Sequence, residues 1–358
     1  MNPFYTGEPG RRRSDTPFVL PDPVHVSHEE PAGYRPDPGL VTAFNVALLL
    51  GQPLLVTGEP GTGKTLFARA AAYGLNLPEV LEVRVKSTTT GTDLLYHFDE
   101  LSLFRDNQPN RTPQPLVRYL RFNGLGEAIL RAAGPDAPLF SLQGHELKGD
   151  ESLLHEAFGV DRNPGRPTCR ELLPGLPKID RSPVVLIDEL DKAPRDTPND
   201  LLREIENLAF DIPELGVRVS LSAEARQRRP IVLITSNSEK SLPEAFLRRC
   251  AYYHIPFPTG EVLRKIVDSR LGILASRRDL IDDALELFEQ LREGFRKPPG
   301  TAELLGWLDL LSKDGDLGNA ARLRGNLAVL LRYLPALAKV PEDLEFSRHA
   351  VRGWSDGK

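Results

Sequence analysis

The chain has 358 residues, too many for one ordinary core, and its 40% hydrophobic and 27% charged content is that of a soluble globular protein with two or three domains. Two cysteines, Cys169 and Cys250, exclude a disulfide framework, are too few for a four-ligand zinc site and suit a reducing compartment. A net charge of −5 excludes a chain-wide basic footprint for nucleic acid.

Residues 1–38 hold eight prolines and the triplet Arg11-Arg12-Arg13 without apolar periodicity, which predicts an extended arm rather than a core. The opening Met1-Asn-Pro-Phe-Tyr lacks the basic-then-apolar run of a signal peptide. The most apolar stretch, Val46 to Val56, is broken by Gly51-Gln52-Pro53 and is too short to span a bilayer, so a cytoplasmic protein without a membrane segment is expected. Leu40–Leu50 is a helix candidate that the same Gly51-Gln52-Pro53 ends.

Short apolar runs follow at Leu54–Val56, Val184–Ile187 and Ile231–Ile234. They are continuous rather than alternating, as parallel strands covered on both faces should be. Leu81-Glu82-Val83-Arg84-Val85 alternates and reads as an edge strand, and Tyr252–Ile255 supplies a fifth. From Thr92 to Pro183 the chain is proline-rich and irregular, with one helix candidate at Leu125–Ala133, an interval longer than a connection requires. After Pro258 only helical spacing remains, as in Leu280, Ile281, Ala284, Leu285, Phe288 and Leu291. The predicted organisation is an arm (1–38), a three-layer α/β domain with a five-stranded parallel sheet (39–258), a small all-α domain (259–340) and a C-terminal tail (341–358).

Gly58-Glu59-Pro60-Gly61-Thr62-Gly63-Lys64-Thr65 fits G-x-x-x-x-G-K-[ST], follows a predicted strand and opens a helix at Leu66, the setting a P-loop needs. Its glycines let backbone N–H groups curl around phosphates, Lys64 reaches the β- and γ-phosphates, and Thr65 ligates Mg²⁺. Val184–Ile187 runs into Asp188 and Glu189, which on a central strand places Asp188 to hold Mg²⁺ through water and Glu189 to take a proton from the attacking water. A strand ending in acidic turn residues is common, so the P-loop upstream carries that assignment. Ile231–Thr235 ends in Ser236-Asn237, whose amide could orient that water or merely begin a turn. In Leu242-Pro-Glu-Ala-Phe246-Leu-Arg248-Arg249-Cys250, two arginines close a short helix. They either complement the helix dipole or supply a finger to a neighbouring site. The seven histidines are scattered without metal-ligand spacing.

The order P-loop, Val-Val-Leu-Ile-Asp-Glu, Thr-Ser-Asn and Pro-Glu-Ala-x-Leu-x-Arg resembles an AAA+ ATPase, and within it the MoxR group of the helix-2-insert clade, over about Leu40 to Leu334. The resemblance implies that Asp188 and Glu189 are the Walker B pair, Asn237 is sensor 1 and Arg249 is the finger, with Arg248 standing where relatives carry an acid. It places a helix-2 insert within about 94–145 and a pre-sensor-1 hairpin at about 210–221, and leaves 146–180 unassigned. Relatives open a lid helix with a sensor 2 arginine; the corresponding stretch here, Lys297 to Trp307, has none on the helix, and Arg296 and Lys297 lie just before it. The resemblance further implies ATP and Mg²⁺ as cofactors, ATP hydrolysis, a homo-oligomeric ring, usually a hexamer, and a partner with a von Willebrand factor A domain, as in members from bacterial multi-gene systems of conflict type. The alternative is a nucleic-acid motor or loader using Arg105, Arg111, Arg118 and Arg121, against which the net acidity and the lack of a recognised DNA-binding domain argue.

Overall fold

In the computed structural model, which describes residues 30–107, 114–147, 156–159, 166–178, 180–237, 239–270, 277–317 and 322–355, the chain divides into two compact units. One comprises Pro36–Gly58 and Lys64–Ile255; the other holds the chain from Pro256 onward, the loop Glu59–Gly63 and the residues up to Arg35. Arg11-Arg12-Arg13 and Arg111 lie outside the described residues.

The first unit opens with helix α1 (Pro38–Leu50), capped by the Asp37 carboxylate, which accepts the Gly39 N–H at 2.7 Å, and closed by Gly51 in the left-handed region at φ 67°. Strand β1 (Leu54–Gly58), helix α2 (Lys64–Gly74) and strand β2 (Leu81–Arg84) follow. An excursion of β3 (Tyr96–Phe98), α3 (Glu100–Asp106) and β4 (Leu120–Phe122) then precedes α4 (Gly124–Ala133), β5 (Phe140–Ser141) and the short α5 (Cys169–Leu172). Next come β6 (Val184–Asp188), α6 (Thr197–Asn207), β7 (Ala209–Ile212), β8 (Val217–Ser220), β9 (Ile231–Ser236), α7 (Glu244–Leu247) and β10 (Ala251–Ile255).

Five of these strands form a parallel sheet in the order β10-β1-β9-β6-β2. The three continuous apolar runs are its central strands, and the alternating Leu81–Arg84 lies on an edge. Leu55, Val185, Ile187, Val232 and Ile234 point into a core shared with α4 and α6. Their neighbours Leu54, Val56, Leu186 and Leu233 are equally buried, so both faces are covered and an unbroken apolar run is what the position demands. Helix α2 packs on β1, β6 and β9, and Phe67 on it meets Phe44 of α1 edge-to-face at 5.5 Å.

Helix α4 lies within the interval 94–145 and packs on the sheet. Leu125, Ile129 and Leu130 of α4 are fully buried with Val185 and Ile187, which makes α4 a helix of the sheet layer. The excursion is Tyr96–Phe122, and its two ends meet: the Asn123 N–H donates to Leu95 O at 2.9 Å and the Asn123 amide to Asp93 O at 2.6 Å. Gly126 sits where a Cβ would stand 2.1 Å from Leu95 O, so only glycine fits. Strands β7 and β8 form an antiparallel hairpin, with Phe210, Ile212, Val217 and Val219 buried and Arg218 bridging to Asp211 at 2.6 and 3.0 Å. Strand β5 joins the hairpin on the free side of β8.

The second unit is built on α8 (Gly260–Arg270), α9 (Arg278–Gly294), α10 (Thr301–Ser312), α11 (Leu327–Tyr333) and α12 (Pro341–Ser355). Phe288 and Trp307 are fully buried at its centre. The expected tail from 341 is instead α12, started by Pro341 and buried through Val351 and Trp354. Side chains of this kind contribute roughly 1.5–3 kcal/mol each when buried, which no solvated tail would forgo. Among the described residues no helix is long and apolar enough to cross a membrane.

Candidate functional site

Strand β1 runs buried between β10 and β9 and stops at Gly58, whose φ of 151° turns the chain out of the sheet. Gly61 and Gly63 hold φ of 78° and 86°, in the region that suits glycine, and α2 begins at Lys64. The loop therefore leads directly into the N-terminus of a helix, where unpaired N–H groups and the helix dipole favour an anion. Lys64 is 7% exposed and its Nζ donates back to Gly58 O at 2.8 Å. Thr62 Oγ1 donates to Glu59 O at 2.8 Å, Pro60 is exposed at the loop tip and Leu66 is half-buried on the first turn of α2. Within the second unit Glu59 pairs with Arg292 of α9, whose guanidinium lies 3.5 Å over the Phe257 ring. Arg292 is thus the arginine of α9 that meets the loop residue Glu59. Arg296 points to Glu342 at 3.9 Å, and Lys297 gives its backbone N–H to Asp343 at 3.0 Å.

Strand β6 ends beside the start of α2. Asp188 Oδ1 accepts from Thr65 Oγ1 at 3.0 Å and from Thr235 Oγ1 at 2.6 Å. Thr235, the penultimate residue of β9, also accepts the Glu189 N–H at 2.8 Å, so one hydroxyl fixes both acids. Glu189 lies in the left-handed region at φ 61°, ψ 48°. A side chain there costs of order 1–3 kcal/mol, and glutamate in place of glycine marks a position held for its carboxylate. Its Oε1 accepts from Asn237 Nδ2 at 3.1 Å and its Oε2 from Lys192 Nζ at 2.6 Å. The Lys192 ammonium is held above its usual range, chiefly by that hydrogen bond. Arg84 at the end of β2 is raised by its bond to Glu82, with the charges of Asp188 and Glu189 adding to it.

Thr65, the neighbours Asp188 and Glu189, and Asn237 are therefore gathered from three separate stretches of the chain. Their oxygens are hard donors of the kind Mg²⁺ takes, with Thr65 and Asp188 at mutual contact distance and a helix N-terminus next to them. Arg248 and Arg249 stand apart from that cluster. Arg248 pairs with Glu244 of its own short helix, whereas Arg249 Nε meets Glu206 of α6 at 2.5 Å and its Nη1 donates to Ala245 O at 3.1 Å. Burial pushes the thiols of Cys169 and Cys250 up to about 12, which leaves neither as a nucleophile near neutral pH. Thr235, Lys192, Glu206 and Arg292 carry no sequence signature.

A five-stranded parallel sheet with a phosphate loop after β1, acids at the end of β6 and a helical C-terminal region defines an AAA+ P-loop NTPase fold. The profile of the AAA domain (dynein-related subfamily) matches residues 53–250, more than half of the chain, and the chain belongs to that family. No curated protein matches it. Among solved structures the chain is similar to the RuvB Holliday junction branch migration motor of Thermotoga maritima, at 16% identity and a TM-score of 0.39. It is similar to a mutant of that protein at 15% identity and a TM-score of 0.40. In both cases the match covers 83% of this chain and 66% of the other.

Proposed function

We propose that this protein is a MoxR-type AAA+ ATPase that hydrolyses ATP in a ring, a hexamer by resemblance, and uses the cycle to remodel a cytoplasmic partner carrying a von Willebrand factor A domain. The observation that carries the hydrolytic part is the meeting of Glu189 Oε1 with Asn237 Nδ2 at 3.1 Å, directly after an Asp188 that touches Thr65.

In this reading the loop Gly58–Thr65 and the first turn at Leu66 cradle the phosphates, with Lys64 neutralising the β- and γ-groups. Thr65, and Asp188 through water, would hold Mg²⁺, which when bound offsets phosphate charge. Glu189 accepts the proton of the attacking water, and Asn237 orients that water. Arg249, with Arg248 beside it, offers charge to the γ-phosphate of a neighbouring subunit; the exposed pair with Glu206 holds it only weakly until then.

Glu189→Gln tests the reading. An amide cannot take a proton, so the variant should bind ATP with wild-type affinity and lose turnover by roughly 10²–10⁴. Immobilised in its ATP-bound state, it should retain the partner more strongly than wild-type protein does. Hydrolysis by Glu189→Gln at the wild-type rate would remove Glu189 as the base.

A further inference from the structure

The turn Leu190–Lys192 directly after β6 has no role in the chemistry just described, yet it contains one of the best-buried carboxylates of the first unit. Asp191 is 3% exposed. A carboxylate so placed is costly unless each oxygen has a donor. Its donors are not side chains: Oδ1 accepts the backbone N–H of Asn237 at 3.3 Å, and Oδ2 that of Glu239 at 2.9 Å. These residues lie just beyond β9, where the chain has left the ladder and its N–H groups have no strand partner. The next residue grips the same cluster from the other side. Lys192 Nζ holds Glu189 Oε2 at 2.6 Å, while its backbone oxygen accepts from Lys240 Nζ at 3.3 Å.

We infer that Asp191 is a positioning residue for hydrolysis: by accepting two backbone N–H groups it fixes the segment after β9 so that the Asn237 amide stands in contact with Glu189. The contact of Lys192 with Glu189 and those of Asp191 with the segment after β9 differ in kind. The Lys192–Glu189 pair is part-exposed, at 41% and 33%, and is free to exchange with water or ligand. The Asp191 contacts are buried on the carboxylate side and keep their geometry while Glu189 changes partners. The inference rests on the proposed roles of Glu189 and Asn237.

Asp191→Asn keeps the shape and one acceptor oxygen but sets an NH₂ against a backbone N–H, so one of the two bonds is lost. It should lower kcat about ten- to a hundredfold, the cost of a small misplacement of a catalytic group, with the Kd for ATP unchanged within about threefold. In an Asn237→Ala background the same change should cost nothing further, because there is no amide left to position. In nucleotide-free protein, backbone amide exchange of the peptide over 236–240 should accelerate about tenfold or more. A merely structural carboxylate would lower kcat by the same factor in both backgrounds, and that additivity overturns the proposal, as does unchanged exchange. If Asn237→Ala itself hydrolyses ATP at the wild-type rate, the reading of the site fails, while the exchange measurement still decides whether Asp191 holds the segment.

Discussion

The buried aspartates of the helical unit and the acid pair at the end of β6 are held by different chemistry. In the helical unit Asp283 accepts the backbone N–H groups of Leu323 and Arg324, Asp343 those of Arg296 and Lys297, and Asp314 those of Asp316 and Leu317, with Tyr333 and Arg332 added. In the sheet unit Asp188 is held by two hydroxyls, and Glu189 by an amide and an ammonium. Main-chain donors cannot leave without unfolding something, so acids that take them are fasteners. Side-chain donors rotate away at little cost, and acids held that way can change partner within a reaction cycle. Asp191 joins the two kinds, a fastener placed among exchangeable groups.

The strongest challenge to this division is Arg249, an exchangeable cation rather than an acid. Replacing it with alanine should reduce turnover by about 10³–10⁵ while ATP affinity stays within a few-fold. Lys64→Ala subunits cannot hold ATP but still present Arg249. Mixing the two inactive proteins should therefore restore part of the activity, and mixed rings that stay at background would return Arg249 to a solvated helix end. Next in size is Thr235→Val, which keeps the strand packing but frees Asp188 and orphans the Glu189 N–H. Turnover should fall roughly ten- to a hundredfold, the order expected when a catalytic group is misplaced, with little loss of ATP binding. An equal loss of binding would mean that Thr235 fastens the fold rather than the reaction.

On the fastener side, Asp314→Ala should destabilise the helical unit by about 1–3 kcal/mol, because buried N–H groups and Arg332 lose their acceptor. Thermal or urea unfolding measures this, and an undiminished midpoint would contradict it. The same residue should also show an effect in acid. Burial would raise Asp314, but Tyr333, Asp316 N–H, Arg332 and Leu317 N–H together bring it down from 3.8 to about 2. A depressed acid contributes stability above its unfolded value and loses it as pH falls from about 4 to about 2. The contribution is about 2 kcal/mol, and Asp314→Ala should remove that part of the pH dependence of unfolding.

Much of the fold was legible because its signals are local. Strands covered on both faces must be apolar at every residue, as Val184–Ile187 is, and a phosphate loop needs its glycines and lysine in fixed spacing. Asp188, Glu189 and Asn237 were readable for the same reason, each at the end of an apolar run. Thr235 and Asp191 were not, since what they hold lies 46–48 residues away in the chain and nothing in their neighbours announces it. Likewise Arg292 looks like one more charge at the end of α9 until Glu59 is seen beside it. The mistaken tail had a readable cue. Pro341 followed by Val351 and Trp354 three residues apart is a helix start with an apolar face, masked by the charges between them.

Because Leu95 and Asn123 are joined by one hydrogen bond, the stretch between them behaves as a cassette. Its removal would leave two chain ends already at bridging distance, and a longer or shorter replacement would change the closure entropy by only about 0.6 kcal/mol per doubling of length. Gly126, with no Cβ, lets α4 lie against Leu95 O at the base of this stretch. The sheet and the residues at its strand ends can therefore stay as they are while what is mounted between Leu95 and Asn123 is lengthened or shortened.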